Sequence, residues 1–144
     1  MSRSQASPFQ ERLVTRLAGR VPITVEDPLL ARAAVALVVV PDPDALLLIR
    51  RAERAGDPWS GQMGLPGGRS GPEDPGLLET AIRETREEVG ISLLREELVG
   101  PLDDVAPRSP HLPPLMVRPF LFVLSRRPIV IPNSEVAEHL WVDW

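Results

Sequence analysis

The sequence predicts a mixed α/β domain in which helices pack against a β-sheet. Two apolar runs, at 31–40 and 45–52, flank a proline-containing turn, which is typical of a buried β-hairpin. An amphipathic pattern over 75–89 indicates a helix, and further apolar runs follow it. The order helix, strands, helix, strands within 144 residues predicts one layered domain spanning 1–144.

The first half of the chain is predicted to begin with a short amphipathic helix. Phe9, Leu13, Leu17 and Ala18 recur at helical spacing and would form its apolar face. The sequence VPITVEDPLL lacks such a period and indicates an irregular linker. The elements expected here are a helix over 8–19, a hairpin over 33–51 that turns at 41–44, and a loop over 53–62.

The second predicted helix spans 75–89 and has signals at both ends. Asp74 is a suitable N-cap, Pro75 suits the first helical position, and Gly90 suits a left-handed stop. The side chains expected to face inward from this helix are Leu78, Ile82, Thr85 and Val89.

The remaining residues are predicted to form strands around a proline-rich loop at 107–114. Pro119 lies inside the most apolar of them, so that strand is expected at a sheet edge or at a bulge. The predicted strands are 97–106 with a turn, 115–124, and 138–144.

The composition excludes several kinds of site. There is no cysteine, and with two histidines a His-rich metal site is not expected. All 16 basic residues are arginine, so a Schiff-base lysine and a Walker-type phosphate loop are excluded. The net charge of −4 argues against nucleic-acid binding. The N-terminus lacks an apolar signal core and no run is long enough to span a membrane, which predicts a cytoplasmic protein without membrane contact.

The second helix carries an unusual concentration of glutamates. Glu79, Arg83 and Glu87 recur every four residues and could form a surface ladder of ion pairs without any function. This ladder leaves Glu84 and Glu88 as a carboxylate pair one turn apart, with no cation four residues away. Two carboxylates on one helix face are suited to hold a hard divalent cation such as Mg²⁺.

A glycine pair lies just upstream of this helix. Gly67 and Gly68 allow backbone geometries that would bring amide or carbonyl groups close to a metal or a phosphate. A carboxylate helix beside a glycine turn is a suitable site for hydrolysing a phosphoanhydride, because the metal neutralises phosphate charge while a carboxylate accepts a proton from water.

The stretch 68–91 resembles the Nudix box, the signature of hydrolases that cleave nucleoside diphosphates linked to another group. The second half of the box is present as Arg83, Glu84, Glu87, Glu88, Gly90 and Ile91, and Gly68 stands at its start. Asp74 replaces the usual glutamate, the gap from Asp74 to Arg83 is one residue longer, and Thr85 replaces an aliphatic residue. The glutamates of the second half and the glycine are intact, so none of these departures predicts an inactive protein.

The resemblance implies a fold, a cofactor and roles for the box residues. The fold would be an α/β/α sandwich around a mixed β-sheet, and the cofactor Mg²⁺ or Mn²⁺. Glu84, Glu87 and Glu88 would be the metal ligands, with the carbonyl of Gly68, while Arg83 would orient the glutamates. The general base stays open between Glu84 and Glu135.

The segment before the box resembles the signature of the coenzyme A pyrophosphatase branch of the family. The matching residues are Leu47, Leu48, Arg51, Ala52, Gly61, Gln62, Pro66, Gly67 and Gly68. Ile49 and Leu65 depart from the signature, the spacing from Ala52 to Gly61 is one residue longer, and its second arginine is displaced, with Arg54 as a substitute. The resemblance implies cleavage of coenzyme A into 3′,5′-ADP and 4′-phosphopantetheine.

Four residues of this region are candidates for binding the substrate: Arg51, Arg54, Trp59 and Gly67. Guanidinium groups bind phosphate bidentately, and a tryptophan in a polar loop could stack on adenine or cover a pantetheine arm. The alternatives are solvated arginines at a strand end and a tryptophan that covers the sheet edge.

Two other functions remain open. ADP-ribose hydrolases of the family have a proline beyond the box, and Pro107 lies near that position. A nucleotide-sensing domain without hydrolysis is the alternative of a different class, although it predicts eroded glutamates, which are not seen.

The family commonly adds a helix after the final strand, whereas this sequence stops at Trp144. A C-terminal helix is therefore expected to be absent or truncated. Trp141 and Trp144 would then be exposed unless the helix over 8–19, a second subunit or a continuation of the natural chain covers them. An apolar patch of this kind marks an interface, which favours a homodimer or a truncated chain.

Overall fold

Seven strands form one mixed sheet in the part of the chain that this computed structural model describes, residues 6–107, 110 and 112–143. The helices are α1 (Pro8–Leu17) and α2 (Leu77–Val89), with a 3₁₀ turn at Arg95–Glu97. The strands are β1 (Ala31–Val40), β2 (Ala45–Arg51), β3 (Met63–Gly64), β4 (Gly67–Arg69), β5 (Leu98–Pro101), β6 (Leu115–Val123) and β7 (Val136–Asp143). The predicted fold class is confirmed.

Strand β1 is central to the sheet. It pairs antiparallel with β2 and β4 and parallel with β6, from Ala31 opposite Leu115 to Val39 opposite Val123. Strands β3 and β7 add to β2, and β5 adds to β6, all antiparallel. Parallel neighbours need a long crossover, and the chain between β1 and β6 includes α2.

One face of the sheet packs against α2 and forms the core. Alternate residues of β1, Ala34, Ala36 and Val38, are fully buried together with Phe122 of β6. Helix α2 contacts β1, β4 and β6. Burial of these apolar side chains stabilises the fold by roughly 25 cal/mol per Å² of area removed from water, and it fixes α2 beside the glycine turn.

Helix α1 is confirmed, but its buried residue differs from the predicted apolar face. Phe9, Leu13 and Leu17 are only half-buried, whereas Gln10 is 1% exposed. The Gln10 side-chain amide donates to the carbonyl of Leu124 at the end of β6 (2.8 Å). The Ser7 hydroxyl caps the helix by accepting from the Gln10 backbone N–H (3.1 Å). A hydrogen bond to the sheet therefore anchors this helix where the sequence predicted only apolar contact.

Helix α2 begins two residues later than predicted, and Asp74 is not its N-cap. Gly76 occupies that position without a side-chain hydrogen bond. Asp74 instead accepts from the Gly71 N–H (2.8 Å) and the Thr80 hydroxyl (2.9 Å) and binds Arg83. The predicted stop is confirmed, since Gly90 has φ 71°.

Strand β6 is interior, so the edge position predicted for Pro119 is wrong. The alternative, a bulge, has a counterpart nearby, because the pairing of β5 with β6 shifts register between Leu98 and Gly100. Pro119 lies opposite Val35 of β1, and β5 pairs with β6 only as far as Pro101 opposite Phe120. The carbonyl of Pro119 accepts from Leu102 N–H (2.8 Å), just beyond the end of β5. The missing N–H of proline is tolerated because the regular ladder ends there.

The end of the chain is covered in part by its own residues. Trp141 of β7 is half-buried against the core, and the Arg127 guanidinium lies 5.2 Å from its ring centroid. Trp144 and part of the proline-rich loop at 107–114 lie outside the described residues, and the homodimer stays a prediction. Among the described helices, none has the length and hydropathy needed to cross a bilayer.

Candidate active site

Three carboxylates come together between α2 and the segment before β7. Glu84 and Glu88 lie one turn apart on α2, and Glu135 lies just before β7; one oxygen from each falls within 4.8 Å of the others. Glu88 is buried, Glu84 is half-buried and Glu135 is exposed. Oxygen ligands of this kind are those that Mg²⁺ and Mn²⁺ prefer.

The segment before β7 is held against the end of α2 by backbone hydrogen bonds. The N–H of Asn133 donates to the carbonyl of Glu88 (2.9 Å), and that of Ile131 donates to Val89 (2.8 Å). The carbonyl of Glu135 accepts from the N–H of Ala52 (2.8 Å). These contacts bring Glu135 to the helix, although 47 positions separate it from Glu88 in the sequence.

The glycine pair lies directly under the carboxylates. The N–H of Gly67 donates to Glu88 Oε1 (2.8 Å), which orients this buried carboxylate. A Cβ on Gly68 would lie 2.6 Å from the carboxyl carbon of Glu84. A side chain at position 68 would therefore displace the Glu84 carboxylate from its place beside the glycine pair. The oxygen donor set fits a hard divalent cation.

Arg83 connects the box residues. Its Nε and Nη2 donate to the two carboxylate oxygens of Asp74, both at 2.9 Å, and its Nη1 donates to Glu84 (3.0 Å) and Glu87 (3.1 Å). Hydrogen bonds from Arg83 hold the pKa of Asp74 well below its usual range, and Asp74 in turn raises the pKa of Arg83. Asp74, which replaces the usual glutamate, is thus an anchor for this arginine.

The ion-pair ladder predicted for α2 exists only in part. Arg83 pairs with Glu87 as expected, but Glu79 pairs with Arg95 (2.9 Å). Glu84, which the ladder left without a cation, is bound by the adjacent Arg83. Glu87 is exposed and does not belong to the carboxylate cluster, so its role as a ligand stays a prediction.

Burial and mutual repulsion raise the pKa values of Glu84 and Glu88. Desolvation raises the pKa of Glu88 to about 7, with further contributions from Glu84 and Glu135, and the Gly67 hydrogen bond opposes the shift. Desolvation also raises the pKa of Glu84. A site that crowds negative charge in this way gains stability when a cation binds.

The metal-free protein is therefore expected to lose stability as pH rises. Folded Glu88 binds its proton more tightly than an unfolded glutamate, so the free energy of unfolding falls between the unfolded pKa, near 4.5, and the folded pKa of about 7. Glu88→Gln removes this loss, and we expect it to be more stable than wild type at pH 8 by up to about 3 kcal/mol.

Urea denaturation in EDTA at pH 5 and pH 8 checks this expectation. Glu96→Gln, at an exposed carboxylate outside the cluster, is the control and should follow the wild type. If Glu88→Gln and the wild type differed in the free energy of unfolding by the same amount at both pH values, the raised pKa of Glu88 would be contradicted.

A cavity of about 520 Å³ opens beside the carboxylates. Its polar lining includes Arg51, Asp57, Gln62 and Arg69, and the backbone of Gly67 and Gly68 joins it to the cluster. Its apolar lining comes from Trp59 and from several residues of the sheet. A few polar groups on an apolar wall are typical of small-molecule sites.

The structure separates the predicted substrate-binding residues into two groups. Arg51, Trp59 and Gly67 line the cavity. Arg54 lies exposed in the same loop and is absent from the described lining. Asp57 and Arg69 also line the cavity, although neither was predicted from the sequence. The Asp57–Pro58–Trp59 order, an aspartate at a turn, was the available signal for Asp57.

The fold and the cluster together define a Nudix-type hydrolase domain. A family model described as NUDIX domain matches residues 30–144, and the chain belongs to this family. Its matched relatives include an uncharacterized protein of Schizosaccharomyces pombe, 41% identical over 101 residues, which are 67% of this chain and 31% of the relative. Mouse mitochondrial coenzyme A diphosphatase NUDT8 is 36% identical over 82 residues, which are 57% of this chain and 39% of that protein.

Solved structures share the fold at low sequence identity. A MutT/nudix family protein from Enterococcus faecalis has a TM-score of 0.68 at 22% identity, covering 96% of this chain and 52% of that chain. A bifunctional NMN adenylyltransferase/ADP ribose pyrophosphatase from Francisella tularensis, complexed with AMP and a manganese ion, has a TM-score of 0.60 at 22% identity. The matched region covers 92% of this chain and 38% of the Francisella chain. The chain spans about a third of the length of the curated relatives it matches.

Proposed function

We propose that this Nudix hydrolase cleaves the pyrophosphate of a nucleoside diphosphate derivative with the help of Mg²⁺ or Mn²⁺. The observation that carries the proposal is the cluster of Glu84, Glu88 and Glu135 over the glycine pair, next to a cavity large enough for a nucleotide. When bound there, a divalent cation would neutralise phosphate charge and lower the pKa of water. The carbonyl of Gly68 and Glu87 are further candidate ligands.

The residues of the chain have distinct proposed roles in the reaction. Gly67 N–H holds the Glu88 carboxylate in place, while Arg83 holds Glu84 and balances its charge. A water oxygen attacks one phosphorus, the anhydride P–O bond breaks, and a carboxylate accepts the proton of the water. Glu84 and Glu135 both lie in the cluster and remain the two candidates for this base.

Coenzyme A is the proposed substrate, with 3′,5′-ADP and 4′-phosphopantetheine as products. Support comes from the signature residues around Arg51 and Gly61 and from the similarity to a coenzyme A diphosphatase over 57% of the chain. The cavity adds support, because Arg51 and Arg69 offer positive charge beside an apolar wall. ADP-ribose is the second candidate, favoured by Pro107, which lines the cavity.

A hydrolysis panel tests the proposal. Coenzyme A, ADP-ribose, NADH and nucleoside triphosphates are each supplied with Mg²⁺ or Mn²⁺, and kcat/KM is measured. We expect coenzyme A to be the best substrate and EDTA to abolish turnover. A tenfold preference for ADP-ribose, about 1.4 kcal/mol of transition-state discrimination, would contradict the coenzyme A assignment. Nucleotide binding without any product would instead indicate a sensor.

A further inference from the structure

Asp57 lies at the centre of the loop that borders the cavity, and both of its carboxylate oxygens are used. Oδ2 accepts from Arg51 Nη2 (3.0 Å), and Oδ1 accepts from the backbone N–H of Trp59 (2.9 Å). Its side chain is 13% exposed, against 39% for Arg51. The Trp59 hydrogen bond and the Arg51 charge lower the pKa of Asp57. One side chain therefore connects two of the residues that line the cavity.

The loop does not depend on the Asp57 charge for its closure. The Arg54 N–H donates to the Ser60 hydroxyl (2.6 Å), and the Ser60 N–H donates to the Asp57 backbone carbonyl (3.2 Å). The N–H of Arg51 donates to the carbonyl of Gln62 (2.9 Å), which joins the two ends of the loop. Because these bonds involve the backbone and Ser60, the loop should keep its shape when the Asp57 carboxylate becomes an amide.

Arg51 is placed to serve the cavity and the carboxylate cluster together. It lines the cavity with Gly67 and Gly68, and its charge acts on Glu88 and lowers the proton affinity of that group. Its Nε–H is buried and has no hydrogen-bond partner among the described residues. A guanidinium has five donors, and the contact with Asp57 involves only Nη2, so donors remain for an anion.

We propose that Asp57 is a positioning residue that fixes the Arg51 guanidinium to receive the diphosphate of the substrate and fixes Trp59 at the wall of the same cavity. This inference rests on the proposed function for the identity of the ligand. Planar guanidinium binds phosphate well only in a defined orientation. The Asp57–Arg51 contact supplies that orientation in advance, which lowers the ordering cost of binding.

Asp57→Asn tests the inference, because asparagine retains an oxygen for the Trp59 N–H but loses the charge that holds Arg51. Glu53→Gln, at an exposed carboxylate of the same loop, is the matched control. Together with Arg51→Ala and the double variant Arg51→Ala/Asp57→Asn, Asp57→Asn forms a double-mutant cycle that measures the coupling of the two residues. The measurements are the dissociation constant of ADP by calorimetry with Mg²⁺ present, KM and kcat for coenzyme A, and the melting temperature of each variant.

We expect Asp57→Asn to raise the ADP dissociation constant and KM by about tenfold, with kcat within about threefold of wild type and an unchanged melting temperature. In the Arg51→Ala background the same substitution should have no further effect on binding, because the two residues act as a unit. Glu53→Gln should bind ADP as the wild type does.

Unchanged or tighter ADP binding by Asp57→Asn would overturn the inference. Additive effects of the two substitutions on ADP binding in the double variant would also overturn it. A third contrary result is a fall in affinity that is accompanied by a matching fall in melting temperature. Absence of saturable ADP binding by the wild type would also overturn it. The proposed function fails by a different result, namely the absence of hydrolysis by a wild type that still binds ADP.

Discussion

Glu84→Gln and Glu88→Gln are each expected to lower turnover at least about a hundredfold, the scale for losing a key acid–base or electrostatic group. Each change removes one negative charge from the carboxylate cluster while keeping the shape of the side chain. The amide introduced by Glu88→Gln also keeps an oxygen that can accept from the Gly67 N–H. The loss should therefore appear in kcat with Mg²⁺ present, while the far-ultraviolet circular dichroism of the folded protein stays the same.

Glu79→Gln provides a matched control on the same helix. Glu79 lies in the first turn of α2 and pairs with Arg95 outside the cluster, so its loss should leave turnover near the wild-type value. Near-normal activity in both Glu84→Gln and Glu88→Gln would defeat the metal-site interpretation. The glutamates of α2 would then be a solvated helix face.

Gly67→Ala is expected to destabilise the protein by about 3 kcal/mol or more, because overpacking and backbone strain act at the same position. Gly67 has φ +157°, and a Cβ there would collide with the Ala34 carbonyl oxygen and lie 2.6 Å from the Cα of Val35. These are backbone atoms of the central strand and cannot move aside. The glycine turn itself would have to move to relieve the collision, and this movement would displace the Gly67 N–H that donates to Glu88.

Gly64→Ala is the control for this substitution. A Cβ at Gly64 would meet no heavy atom within 4 Å, and its φ is not in the positive range. Urea denaturation of both variants measures the difference in the free energy of unfolding. A Gly67→Ala variant as stable as Gly64→Ala would show that β4 does not lie against β1 as the structure has it.

Local sequence patterns were sufficient for most of the fold and for two of the three carboxylates in the cluster. The strand Ala31–Val40 was predicted with its observed bounds, because a β-branched apolar run between turn residues has one favourable conformation. The stop at Gly90 and the pairing of Glu84 with Glu88 on one face follow from helix geometry alone. The family could also be predicted, since its signature is a fixed spacing on one helix and one turn.

The tertiary structure decided what depends on residues far apart in the sequence. Glu135 joins Glu88 because backbone hydrogen bonds hold the segment before β7 against α2, and no local pattern encodes that contact. Asp74 was predicted as a helix cap because its neighbours suggest one, but the guanidinium of Arg83 offers it stronger charge-assisted bonds. The loop carrying Asp57 and Trp59 becomes a cavity wall only when the sheet places it beside Gly67. Composition and spacing determine which groups are available for chemistry, whereas packing determines which of them meet.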